Sequence, residues 1–299
     1  MSKVTTLEKA VASISSGEHV ALSGFAIARC CMAFARELIR QGIRGLTVSQ
    51  CVGAMDADLL VGAGAVERII YGGGSLDRFG RLACVNRGIE EGTLAAEEYS
   101  SLSVAFRYLA GSLGLPFIPI RSLRGSDLMR QIQERTGSDV AEVVDPFTDE
   151  KWPVLKPLNP DVAVVQVQTA DCDGNAWIMG PRWDNVEQAK ASRRTILIAE
   201  HVVPPEVIRR QPERTVIPGL LVSHVVELPF AAHPTSVYRE YDYDAPQIQR
   251  YVEATCDPLS LRSYLDETVF SLADHAGYLE KVVGSKRMAE LRADETLGY

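Results

Sequence analysis

The sequence predicts an open α/β protein: a mainly parallel β-sheet with helices on both faces, followed by a helical C-terminal region. Three observations carry that prediction. Short apolar and β-branched runs alternate with stretches whose apolar residues recur at helical spacing. The run at 162–167 is almost continuously apolar, as a strand buried on both faces is. Glycine turns at 24 and at 72–74 each follow such a run. Alternation of this kind places binding residues on loops at the carboxyl ends of the strands.

In chain order, Leu7, Ala10, Val11 and Ile14 form a helical stripe within 5–15 that Gly17 stops. Residues 19–23 read as a short strand, Gly24 as a turn, and 32–41 as a helix. The β-branched run 46–49 is the next strand, followed by a helix near 57–63 and a strand at 66–71. Helices are expected around 81–87 and 102–113, with an extended segment at 116–120. After the proline-rich stretch 152–160, strands are read at 162–167, 176–179, 195–199 and 222–228, with a polar helix at 184–191. From Pro246 the helical pattern returns, through 259–266 and 279–291. Neither a repeat nor a low-complexity linker divides the chain, so one domain spanning 1–299 is expected, its helical segment starting at about 246.

The composition is that of a globular protein: 46% hydrophobic and 23% charged, with 31 basic against 39 acidic residues and a net charge of −8. A pI near 5.3 and the lack of a basic stripe argue against nucleic-acid binding. No apolar run approaches the roughly 20 residues of a membrane helix, and the N-terminus lacks the apolar core of a signal peptide. Cys30, Cys31, Cys51, Cys84, Cys172 and Cys256 are dispersed, without a C-x-x-C pair or a Cys/His cluster. That spacing argues against structural zinc and for reduced, mostly buried thiols. The expectation is a soluble, cytoplasmic protein that binds neither membrane nor nucleic acid.

The common catalytic signatures G-x-S-x-G, G-x-x-x-x-G-K-[ST] and H-E-x-x-H are absent. Gly62-Ala63-Gly64 lacks the third glycine of a dinucleotide loop. The run Asp171-Cys172-Asp173-Gly174-Asn175 has Arg182 where a calcium loop needs glutamate. The turn Ser23-Gly24-Phe25, followed by Arg29, can point backbone N–H groups into a site, although tight strand–helix packing explains it equally. Tyr71-Gly72-Gly73-Gly74-Ser75 is a second open turn, and a plain flexible loop is its alternative. Glu97 and Glu98 precede a helix. They read either as an acidic first turn that complements the helix dipole or as a carboxylate facing a cleft. His233 follows a strand end, where a lone histidine is more often structural than catalytic.

Together these segments resemble the α subunit of family I coenzyme A transferases, in particular the glutaconate CoA-transferase-like branch. The likeness is carried by 20–25 with Met32-Ala33, by 62–66, by Glu97-Glu98-Tyr99-Ser100, by 114–121 with Gly125-Ser126-Asp127, and by Ala170-Asp171 with Gly174-Asn175-Ala176. A looser match at 229–234 extends a coverage of about 4–257. The resemblance implies an open α/β fold and a separate β subunit carrying a nucleophilic glutamate. In that family the glutamate forms an acyl anhydride, then a glutamyl-CoA thioester, and finally passes CoA to a carboxylic acid. It further implies that Ser23, Gly24, Phe25 and Arg29, with Tyr71, Gly72, Gly73 and Ser75, line the substrate cleft. Glu98 or Glu97 falls at the family's acidic position, with the register between them open. Asp171 and Asn175 are expected to hold a turn. Coenzyme A is a substrate, and no metal or other cofactor is implied.

Two departures stand out. Ser23-Gly24 replaces the family's usual pair of glycines, and Cys31 replaces a proline before Met32-Ala33. Relatives on the same scaffold hydrolyse C–C bonds or decarboxylate CoA-linked substrates. Those activities, and a non-catalytic acyl-CoA-binding module, are the alternatives.

Overall fold

The computed structural model describes residues 2–136, 139–294 and 296–297. In its first half, α1 (Leu7–Ala12), β1 (His19–Leu22), α2 (Met32–Arg40), β2 (Leu46–Gln50), α3 (Met55–Gly62), β3 (Val66–Tyr71), α4 (Ala83–Glu90) and β4 (Ala95–Glu98) alternate. Then come α5 (Ser101–Ser112), β5 (Ile118–Pro119), α6 (Asp127–Thr136), β6 (Val140–Val144) and β7 (Lys151–Leu155). The parallel sheet resumes with β8 (Val162–Asp171), β9 (Ala176–Trp177), α7 (Asn185–Ala191), β10 (Arg194–Val203), α8 (Pro205–Arg209) and β11 (Val222–Glu227). The helices α9 (Ala245–Ala254), α10 (Pro258–Leu265), α11 (His275–Tyr278) and α12 (Ser285–Leu291) close the chain.

The main sheet runs β11-β10-β8-β1-β2-β3-β4, all parallel, with β9 antiparallel beside β8. The chain builds outward from β1 to β4, crosses back to lay β8 on the other side of β1, and builds outward again. Val20 pairs with Val48 on one side and Val162 on the other. The order therefore reverses between β1 and β8, and open α/β sheets bind their ligands beyond the carboxyl ends of the strands at such a point.

Both faces are covered, which explains the near-continuous apolar strands. One core packs α2, α3, α9 and α10 residues against Val20, Val48 and Ile69. The other packs Val104 and Tyr108 of α5 and Ala189 of α7 against Ala21, Ile70 and Val165. Buried polar ties fix the C-terminal helices. The Tyr251 hydroxyl donates to Asp58 at 2.6 Å, and His233 bonds Tyr278 at 2.9 Å and Asp244 at 3.1 Å. His233 is fully buried, in keeping with the structural reading of this residue.

Three regions depart from the sequence reading. Residues 95–98 form the edge strand β4, because Ile70 and Tyr71 of β3 pair with Glu97 and Glu98, so the two carboxylates precede α5 (Ser101–Ser112) without belonging to its first turn. Between 121 and 151, where the sequence reading places no element, α6 and β6 form, and β6 pairs with β7 in a small antiparallel sheet with β5. The helix expected at 279–291 is broken at Gly284, whose φ of +80° suits glycine.

Candidate active site

Four strand ends lie side by side at the carboxyl edge of the sheet, and hydrogen bonds lock their loops together. Beyond β1, the Ser23 hydroxyl accepts the Gln166 N–H at 2.9 Å, and the Ser23 carbonyl accepts from the Gln50 side chain at 3.1 Å. That amide also donates to Asp56 at 3.1 Å, and Asp56 accepts the Cys31 N–H at 2.7 Å. Burial raises the Asp56 carboxyl above its ordinary range. One network thus joins the turn after β1 to the loop after β2 and to the starts of α2 and α3.

Ser23 lies inside this network and has no accessible surface. Gly24 has φ +105°, and a Cβ there would sit 2.9 Å from the Arg29 carbonyl oxygen, so glycine is required by the turn's own backbone. Arg29 is buried as well. It donates to the Pro181 carbonyl and lies 4.8 Å from the Trp183 ring centre. Burial lowers its pKa to about 10. Phe25 remains half-exposed and stacks on Trp183 at 5.2 Å. Ala26, Arg29 and Trp183 all have left-handed backbones, a concentration of strain that packing must hold in place. Arg29 and Trp183 line a cavity of about 200 Å³ with Tyr238 and Tyr241.

A second, larger cavity of about 370 Å³ opens beyond β3 and β4, lined by Tyr71, Gly73, Arg81, Asn86 and Glu98 among others. The three glycines differ in role. A Cβ on Gly72 would lie 2.4 Å from Ser101 Cα, and one on Gly74 would lie 2.3 Å from the Leu82 side chain. Only Gly73 faces open space. The Ser75 hydroxyl turns back to accept the Asp77 N–H at 2.8 Å.

Glu97 and Glu98 belong to β4, so their side chains point to opposite faces. The acidic-first-turn reading is therefore corrected: Ser100 caps α5, its hydroxyl accepting the Ser103 N–H at 3.1 Å. Glu97 turns away from the cleft and forms an ion pair with Arg68 at 3.2 Å. Glu98 is exposed and lines the cleft.

The structure brings Tyr71, Gly73 and Glu98 into one cavity, whereas Arg29 lines the other. The ends of β1 and β4 stand three strand spacings apart, roughly 14 Å. Ser23 and Gly72 act as scaffold. Asp171 holds the turn before β9, accepting N–H bonds from Asp173 at 3.0 Å and Asn175 at 2.9 Å. Sequence reasoning passed over Arg81, Asn86, Trp183 and the Gln50–Asp56 pair, which no periodicity marks. The one available signal was that Arg81 and Asn86 follow the glycine run closely.

Cys30, Cys31, Cys51 and Cys84 are buried free thiols. Burial raises the Cys31 and Cys51 pKa values to about 12, which makes them unreactive as thiolates at neutral pH. Among the described residues no group of His, Cys, Asp and Glu could hold a metal ion, and no helix is long and apolar enough to cross a membrane.

Fold and site define an open α/β protein whose polar cleft lies at the carboxyl ends of a doubly wound parallel sheet. A profile described as Coenzyme A transferase matches residues 4–228, and the chain belongs to that family. It is 34% identical to one subunit of the glutaconate CoA-transferase of Acidaminococcus fermentans, covering 100% of this chain and 97% of that relative. The crystal structure of glutaconate coenzyme A-transferase from the same organism superimposes with a TM-score of 0.95 at 33% identity, over 100% of this chain and 98% of that one. A variant of the decarboxylase AibA/AibB matches with a TM-score of 0.79 at 32% identity, over 91% of this chain and 100% of that one. The cholesterol ring-cleaving hydrolase IpdA subunit of Rhodococcus jostii is 29% identical, over 88% of this chain and 90% of that relative. An uncharacterized protein of Archaeoglobus fulgidus is 36% identical over 99% of this chain, which spans 65% of that relative's length.

Proposed function

We propose that this chain is the α subunit of a two-subunit, cytoplasmic enzyme that moves coenzyme A from an acyl-CoA to a carboxylic acid. The observation that carries the reading is its end-to-end likeness to one subunit of a glutaconate CoA-transferase, in sequence and in fold. A β subunit supplies the nucleophilic glutamate, which attacks the thioester carbonyl and expels the CoA thiolate to leave an acyl-glutamyl anhydride. Glu98, Tyr71 and Gly73 form the opposing wall of the cleft. Glu98 is the catalytic carboxylate of this chain, orienting the substrate or taking up a proton. Coenzyme A enters as a substrate, and the reaction needs no metal or further cofactor.

The test is co-expression with the neighbouring reading frame, mass determination of the complex, and an acyl-CoA assay with and without acetate or succinate. Acid-dependent movement of CoA is the expected result. The decarboxylase and hydrolase likenesses favour a second reading, C–C hydrolysis or decarboxylation of a CoA ester. Consumption of acyl-CoA without added acid would establish that reading instead. Ligand binding with no turnover in any complex would leave a non-catalytic acyl-CoA-binding module.

A further inference from the structure

The cleft beyond β3 and β4 holds a carboxylate, Glu98, yet a CoA acceptor is itself a carboxylate. An anion entering beside Glu98 needs a fixed positive partner to offset the repulsion. Arg81 lines the same cavity. Among the described residues it forms no ion pair and no hydrogen bond, unlike Arg68, which is paired with Glu97. Asn86, one turn into α4, lines the cavity too.

The backbone adds donors. Gly53 donates to the Gly73 carbonyl at 2.8 Å, and Ser75 donates to the Gly53 carbonyl at 3.2 Å. This bridge leaves the N–H groups of Gly73 and Gly74 without an acceptor among the described residues. Gly73 presents no side chain to the cavity, and a Cβ added there would meet nothing within 4 Å. Exposed Arg81, Asn86 and the Gly73–Gly74 turn with its two unaccepted N–H groups thus line one cleft, whose sides Leu82 and Val85 make partly apolar. A guanidinium fork matches a carboxylate by two parallel N–H bonds.

We propose that Arg81, supported by Asn86 and the Gly73–Gly74 turn, is the residue of this chain that binds a substrate carboxylate and sets specificity for the acid. The inference rests on the transferase reading for its role and on the cleft's donors for its chemistry. The carboxylate is either the reacting group of the acid or the distal group of a dicarboxylic chain, and two acids separate these sources.

The experiment measures acceptor KM for acetate and for succinate in the complex with the β subunit, using wild type, Arg81→Gln and Arg81→Lys. Arg78→Gln is the control. Arg78 is the preceding arginine of the loop and lies over the Phe79 and Tyr243 rings. Arg81→Gln is expected to raise KM about tenfold to a hundredfold, the scale of a charge-assisted hydrogen bond. Arg81→Lys recovers part of the loss, and Arg78→Gln stays within twofold of wild type. A rise for both acids assigns the reacting carboxylate; a rise for succinate alone assigns the distal one. Unchanged KM for both acids, or an equal effect of Arg78→Gln, overturns the proposal. Complex mass and Tm show whether each variant assembles, and Arg81→Lys stands in if Arg81→Gln does not.

If wild type shows no acid-dependent transfer, the transferase reading fails by itself. Equilibrium dialysis of labelled succinate against the complex then decides on Arg81. Retention that Arg81→Gln abolishes upholds the site, whereas no retention by wild type, or retention unaffected by the substitution, overturns it.

Discussion

Glu97 and Glu98 are neighbours in sequence and opposed in space. On a strand the side-chain period is two, so one carboxylate faces Arg68 and the other the cleft. This fixes different outcomes for the same chemical change. Glu98→Gln should lower kcat on the order of 10²-fold or more with the complex intact, the scale of acid–base groups. Glu97→Gln removes half of a partly exposed ion pair and should cost less than about threefold in rate. Steady-state kinetics on both variants checks the assignment; equal losses would mean that β4 does not hold the observed register. The sequence exposed both residues as candidates. It hid the register because Ala95-Ala96-Glu97-Glu98, two small residues and two charges, carries neither the β-branched content nor the alternation of an ordinary strand.

At the scale of elements, the glycine turns show where pattern reading succeeds and where packing takes over. The turn after β1 was legible as a special backbone, and φ +105° at Gly24 explains it. Its purpose was not legible, because the atoms that forbid a side chain belong to Ala28, Arg29 and Cys30 of the same turn. Gly24→Ala should therefore destabilise by about 1–3 kcal/mol, read as a Tm loss of about 2–4 °C per kcal/mol. Gly73→Ala carries the strain of φ +85° but meets no atom within 4 Å, so it should lose less stability than Gly24→Ala, which adds a backbone clash, and should act on substrate binding as well. Thermal unfolding of the two variants side by side tests this, and a larger Tm loss for Gly73→Ala would contradict it. The parallel strands β1, β2, β3 and β8 were readable from their apolar or β-branched runs. The small antiparallel sheet was not, since β6 is largely exposed and Trp152-Pro153 in β7 reads as a strand breaker.

For the whole molecule, the stability profile with pH follows from buried ionisable groups. Glu200, at the carboxyl end of β10, accepts from the Phe230 N–H at 2.7 Å and the Tyr241 hydroxyl at 2.9 Å. Even so, burial pushes it from 4.5 up to about 8. The folded chain keeps a proton that the unfolded chain releases near pH 4.5, so this contribution is complete below that pH and is lost as pH rises to about 8. Glu200→Gln should flatten the fall of Tm between about pH 5 and 8, whatever its absolute effect; parallel Tm curves for variant and wild type would refute it. His19, held down to about 4 by burial, acts in the opposite sense, costing stability as pH falls below 6.5. The segment between α5 and β8, which contains the small sheet, leaves and rejoins the body at one place. The Leu158 N–H donates to the Arg107 carbonyl at 3.0 Å, and a Cβ on Gly111 would lie 2.2 Å from the Leu158 carbonyl oxygen. Arg107 clamps the far side through Lys156 and Asp139. Because its ends touch, the segment can change in length at its exposed turns without shifting the strands on either side, as long as Ile120, Leu123 and Leu155, which it lends to the second core, are kept.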